Sequence, residues 1–211
     1  MKSVNVKKIL TCAICALLCV AMLVACSSKN KFEMSDGKYV DKKTGITYTD
    51  APGSFTPIEV SDKLYGKLGE AELYEISGAD PEKWLCEKVA GTVFYAENEE
   101  LPTLAELDVT RAEILLEDVT LTQLSADTLA EVVRVFSEGE RIIRPLVSSE
   151  QIEVNWRIRF TAESIGLYYT LAFMQLKDGT HIIFDRFTGE CVVADGVLDA
   201  YVAEYKQINE V

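Results

Sequence analysis

The chain has a single histidine, His181, and that scarcity excludes more chemistry than any other feature of the sequence. A Ser-His-Asp or Cys-His hydrolase needs an imidazole as its base. His181 stands directly after a turn, at the start of a predicted strand, and reads as a surface or edge residue. Zinc sites draw on several His and Cys ligands, and too few are present. No Gly-rich loop follows a strand to cradle phosphates, and no Asp-x-Asp-x-Asp-Gly run offers a calcium loop. No cofactor is implied. Basic residues are short as well, with 21 Lys and Arg against 34 Asp and Glu. Phosphate backbones repel such a chain, so nucleic acid is not an expected partner.

Charge is missing altogether between Ile9 and Ala25. Ahead of that run, Lys2, Lys7 and Lys8 make a cationic start without an acid. A cationic n-region, an uncharged h-region and small residues at its end are the layout of an export signal. The run is shorter than the ~20 residues that a membrane-spanning helix needs. It closes on Leu23-Val24-Ala25-Cys26, which resembles a lipobox, the processing motif of bacterial lipoproteins. The resemblance implies that residues 1–25 are removed and that Cys26 becomes the lipid-bearing first residue. The membrane is then a partner through diacylglyceryl-Cys26, and the protein sits at the cell membrane facing the extracytoplasmic side. Two acyl chains hold where one anchors only marginally, each buried methylene contributing ~0.8 kcal/mol. Residues 26–35 read as a flexible tether.

With the signal gone, Cys12, Cys15 and Cys19 are gone too, and Cys86 and Cys191 are the only thiols left without lipid. In an exported protein they are a candidate disulfide, or else two small buried hydrophobes. The loss of Lys2, Lys7 and Lys8 leaves 18 of the 21 basic residues against 34 acidic ones, a net charge of −16. That acidity favours solubility and keeps the domain standing off anionic lipid.

What remains reads as a single α+β domain over residues 36–211, with 36–105 as a candidate β-rich subdomain. Tyr39-Val40 and Ile46-Thr47-Tyr48 flank Asp41-x-x-Thr44-Gly45, a hairpin whose Asp can bond turn amides. Residues 71–76 alternate as a strand, and 92–95 form another. Asp80 followed by Pro81 has the form of a helix start. Residues 113–124 are apolar and β-prone without a clear type. After Ser125, a natural N-cap, Leu129, Val132, Val133 and Phe136 mark one helix face, and Gly139 can end it.

The last third is an antiparallel β-meander over about residues 152–194, with helices packed on one face. Ile152, Val154, Trp156, Ile158 and Phe160 alternate with polar residues at period two. The Asp178-Gly179 turn leads to a third strand, and Asp185-x-x-Thr188-Gly189 leads to a fourth. A final helix carries Leu198, Tyr201, Val202 and Tyr205. The second Asp-x-x-Thr-Gly repeats the first, either as a trace of two related halves or as one common turn chemistry used twice. Residues 184–192 resemble the terminal hairpin of PepSY-type domains, small α+β modules of exported bacterial proteins.

Acidic pairs occur at Glu99/Glu100, Glu117/Asp118 and Glu138/Glu140, but a glycosidase needs two carboxylates facing each other across a cleft. Trp84, Tyr168 and Tyr169 either fill the core or display an aromatic patch. The sequence therefore favours a non-enzymatic binding or interaction module that engages an envelope protein or an extracellular ligand. One alternative is a carboxylate-based envelope hydrolase acting on glycan. The other is an inhibitor or immunity-type lipoprotein that presents a loop such as 96–103.

Overall fold

A computed structural model describes residues 31–209. The expected signal and Cys26 lie outside the described residues. The fold is α+β, with two antiparallel sheets and two α-helices among the described residues. The first sheet runs in the order β1(Phe32–Ser35), β2(Lys38–Asp41), β3(Thr47–Asp50), β8(Val93–Ala96), β7(Trp84–Glu87), β6(Ala71–Ile76), β5(Val60–Leu68). It curls until its two edges meet, and the Phe32 and Tyr65 ring centroids lie 6.0 Å apart. Inside the curl, Phe32, Tyr48, Leu73, Leu85, Phe94 and Ala96 form a core of their own.

The second sheet runs β10(Val119–Gln123), β9(Arg111–Leu116), β11(Ile152–Ala162), β12(Leu167–Leu176), β13(His181–Phe184), β14(Cys191–Val193). Strands β11 to β14 are the expected meander. Its period-two pattern is resolved physically: Val154, Trp156, Ile158 and Phe160 enter the main core, while Asn155, Arg157 and Arg159 face the other way. The helices α1(Ala126–Glu138) and α2(Asp199–Asn209) supply Val132, Phe136 and Val202 to that same core, so both cover one face of the sheet. Ser125 caps α1 as expected, its Oγ accepting the Thr128 N–H at 3.2 Å. The unassigned stretch after residue 110 is the hairpin β9–β10, turned at Glu117 with a φ of 54°.

Three expectations change. Asp80-Pro81 starts a turn, not a helix: the Trp84 N–H donates to the Asp80 carbonyl at 2.8 Å, and the chain enters β7. Trp84 and Cys86 face the main core while Leu85 faces the inside of the curl, so both sides of this strand are buried. Extended structure buries two faces at once where one helical turn would bury one. The tether cannot reach residue 35, because Phe32 is fully buried among Tyr39, Tyr48 and Tyr65 and fixes β1. The region 36–105 is also not closed on itself. Short β4(Phe55–Pro57) leaves it to pair with Leu167–Tyr169 of β12, and Ile76, Trp84, Cys86 and Val93 share the main core with the C-terminal sheet.

The two Asp-x-x-Thr-Gly turns have the same hydrogen-bond scheme. Asp41 Oδ1 accepts the Lys43 and Thr44 N–H groups, and Asp185 Oδ1 accepts those of Phe187 and Thr188. A tyrosine hydroxyl donates to Oδ2 in each case, Tyr65 at 3.2 Å and Tyr169 at 2.8 Å. Both aspartates are fully buried.

Candidate anion-binding groove

The chain's seven arginines all fall between residues 111 and 186, whereas lysine serves as the cation of the first hundred residues. Strand alternation places Arg111 of β9 and Arg157 and Arg159 of β11 on the face of the second sheet turned away from the main core. Arg186 reaches the same face from the β13–β14 turn, where its Nη2 donates to Asn155 Oδ1 at 3.3 Å. Arg144, in the segment after α1, lies 4.0 Å above the Phe184 ring. An acidic chain has therefore collected most of its guanidinium groups on one side of one sheet.

Arg157, Arg159 and Arg186 line a cavity of about 310 Å³. Thr170 and Leu171 of β12 contribute to its lining with Arg157 and Arg159, Leu115 and Asp118 come from the β9–β10 hairpin, and Gly53, Thr56, Arg186 and Phe187 complete it. The turn geometry explains why Arg186 and Phe187 stand where they do. Asp185 draws in the Phe187 and Thr188 amides, so the two side chains are carried on a fixed loop. At Gly53 any Cβ would collide with the Phe187 ring, so the bare backbone there is what lets that ring lie against the loop.

Neutralisation in the groove is uneven. Arg159 is paired with the half-buried Glu113 at 2.7 Å and lies over the Tyr168 ring. Arg157 reaches Asp118 at 2.6 Å, but that carboxylate is 96% exposed, which makes the pair a weak one. Arg186 has no carboxylate partner among the described residues. Burial, together with the charges of Arg157 and Arg144, pushes its guanidinium below its ordinary range. A guanidinium stays charged regardless, so loss of a proton does not relieve the mutual repulsion.

The residues that the sequence marked out fare differently. Cys26 lies outside the described residues. Cys86 and Cys191 are free and fully buried in separate apolar clusters, so the candidate disulfide is not formed and the buried-hydrophobe alternative holds. Burial pushes the Cys86 thiol up to about 11, with Glu87 adding to the effect, and burial raises Cys191 as well. Neither thiol is a nucleophile at neutral pH. His181 is not at the surface but buried: its ring packs edge-on to Phe173 at 5.6 Å, and its Nδ1 lies 3.1 Å from Asp199 Oδ1. Trp84 and Tyr169 are core residues, and Tyr168 is covered by Arg159. The loop 96–103 is tied to the first sheet through Lys83 and Glu99 at 2.9 Å.

Carboxylates with a displaced acidity are all displaced downward among the described residues. Asp62, Glu106, Glu131 and Asp178 are held low by Lys88, Thr103, Arg134 and Thr180 in turn, and Asp41 by the Lys43 and Thr44 amides and Lys31. No three His, Cys, Asp or Glu side chains come together as a metal site among the described residues. In the sequence Arg157 and Arg159 are simply two of the polar residues that alternate along β11. The confinement of every arginine to residues 111–186 was the signal that could have found the groove. No protein-family model matches the chain, no curated protein is significantly similar to it, and no solved structure matches it.

Proposed function

We propose that the protein is a membrane-anchored, extracytoplasmic binding module without a catalytic role, and that it holds an anionic group of an extracellular ligand or envelope partner in the arginine groove. The observation that carries this reading is Arg186, a cation without a carboxylate partner among the described residues, which lines one cavity with Arg157 and Arg159 on a chain of net charge −13. Like charges gathered in one cavity repel one another, a cost that a bound anion offsets. Anchoring fits such a role, since a tethered domain works by keeping its ligand at the surface.

Sulfate is the first probe. An ion that binds the folded state stabilises it by RT ln(1 + [L]/Kd), about 2.7 kcal/mol at a hundred times Kd. Melting of the full chain in sulfate and in chloride at equal ionic strength should show an excess stabilisation by sulfate. Part of any such excess is general surface exclusion. The site-specific part is what Arg186→Ala removes. Equal sulfate responses in the parent and the variant would exclude the groove as an anion site.

The anchor has its own test. Cys26→Ala should release the protein from membranes or leave an uncut precursor, seen by fractionation and mass measurement. Normal processing with retained membrane association would exclude lipidation at Cys26.

A further inference from the structure

We infer, resting on that reading of the groove, that its ligand is a small phosphomonoester with an apolar or aromatic body, the phosphoryl group lying among Arg157, Arg159 and Arg186 and the body against Phe187. The argument starts from directions of approach. Arg157 and Arg159 rise from one strand, roughly 7 Å apart as same-face neighbours. Arg186 comes from the turn beyond β13, on the other side of β12. One guanidinium fork satisfies a planar carboxylate, whereas a tetrahedral phosphoryl group has oxygens for donors arriving from several sides. Thr170 adds a hydroxyl to the lining. Of the existing ion pairs only Arg157–Asp118 has to open, and its exposed carboxylate gives up little.

Phe187 accounts for the second half of the ligand. It is 62% exposed, so no core holds it, yet its backbone N–H donates to the buried Asp185 at 2.7 Å and its ring lies against Gly53. An aromatic side chain fixed beside three arginines and left in water is placed to receive an apolar surface. The volume of about 310 Å³ sets the scale, since small-molecule sites start near ~300 Å³.

Charge decides between a small ligand and a polyanionic surface. With a net charge of −13, the chain repels a membrane or a phosphate polymer that must come close along a whole face. A small anion is screened within a Debye length of about 8 Å and then meets the local field of the arginines. Arg144 beside the groove adds to that field.

Calorimetric titration of the full chain in non-ionic detergent with phenyl phosphate, inorganic phosphate and benzoate tests the assignment. Phenyl phosphate should bind about tenfold or more tightly than either of the others. Arg186→Ala should weaken both phosphates by about tenfold or more. Phe187→Ala should leave inorganic phosphate unchanged and erase the advantage of phenyl phosphate, with far-UV dichroism confirming that both variants fold. Benzoate binding as tightly as phenyl phosphate, still dependent on Arg186, would overturn the phosphoryl assignment and leave the anion groove standing. Binding of no anion at all would overturn both. An unchanged phosphate preference in Phe187→Ala would overturn the role of the ring. Binding only to phosphatidylglycerol vesicles would replace the small ligand with a lipid headgroup.

Discussion

Asp185→Ala should lower the free energy of unfolding by about 4.5 kcal/mol or more, since the change removes an acceptor for three hydrogen bonds, and bonds to a charged group are worth about 1.5–3 kcal/mol each. The Phe187 and Thr188 amides lose their partner, and the Tyr169 hydroxyl is left unpaired inside the main core, where an unsatisfied donor costs about 1–3 kcal/mol. Urea denaturation measures the loss. Asp185→Asn is the control. Its amide oxygen can still accept the two backbone N–H groups, and the Tyr169 hydroxyl can turn to accept from the amide nitrogen, so the cost should fall to about 1–2 kcal/mol. Equal losses in the two variants would mean that the turn network contributes little. Asp185→Ala should also blunt the sulfate response, because Arg186 and Phe187 follow Asp185 on the same turn.

The matching turn in the first sheet responds to acid in a predictable sense. Burial pushes the Asp41 carboxyl upward, but the Lys43 and Thr44 amides and the Lys31 ammonium at 3.1 Å outweigh it and hold it below its ordinary value. A depressed carboxyl stabilises the fold fully above its unfolded value of 3.8 and stops doing so as pH falls through the lower folded value. This turn is therefore intact throughout the neutral range and is given up only in strong acid.

Trp156→Ala should cost about 3–5 kcal/mol, the range for emptying a large aromatic site in a packed core. Trp156 is 2% exposed, stacks on Phe173 with centroids 5.6 Å apart, and meets the Tyr205 ring edge-on at 5.4 Å. Truncation thus takes away at once the surface that joins β11 to β12 and the surface against which α2 docks. A protein of ordinary stability, about 5–15 kcal/mol, loses a large fraction of its margin. Trp156→Phe retains the stacking and should cost less, about 1–2 kcal/mol. Denaturant midpoints separate the two. A loss under about 1 kcal/mol for the alanine variant would show that α2 does not rest on this side chain.

Elements whose pattern is local were the ones legible in the sequence. Strands β11 to β14 and the helix after Ser125 declare themselves because one face of each is dry and the turn or cap between them carries its own chemistry. Strand β7 was misread because Asp80-Pro81 opens a helix or a turn equally well. Burial on both sides of Trp84-Leu85-Cys86 decides the matter, and burial on both sides is a property of the partners, not of the segment. Strand β1 was missed because its place depends on Phe32 meeting rings from residues 39, 48 and 65. The groove was hidden for the same reason. Arg157 and Arg159 are ordinary on a wet strand face, and only the distant Arg186, brought back by a turn, makes a site of them.

Strand β4 sets an order on events as the chain is made. Residues 55–57 find their pairing partners at 167–169, more than a hundred positions further along the chain. The curled sheet can close around Phe32 and Tyr48 early, from neighbours that emerge soon after them. Its attachment to the rest of the molecule must wait until β12 has been made. Distant pairings of this kind slow folding, because loop-closure entropy is spent before any contact offsets it. During that interval the apolar side of Trp84, Cys86 and Val93, destined for the shared core, stays uncovered. The join between the two sheets is therefore the part of the fold that the chain cannot complete before its last third is made.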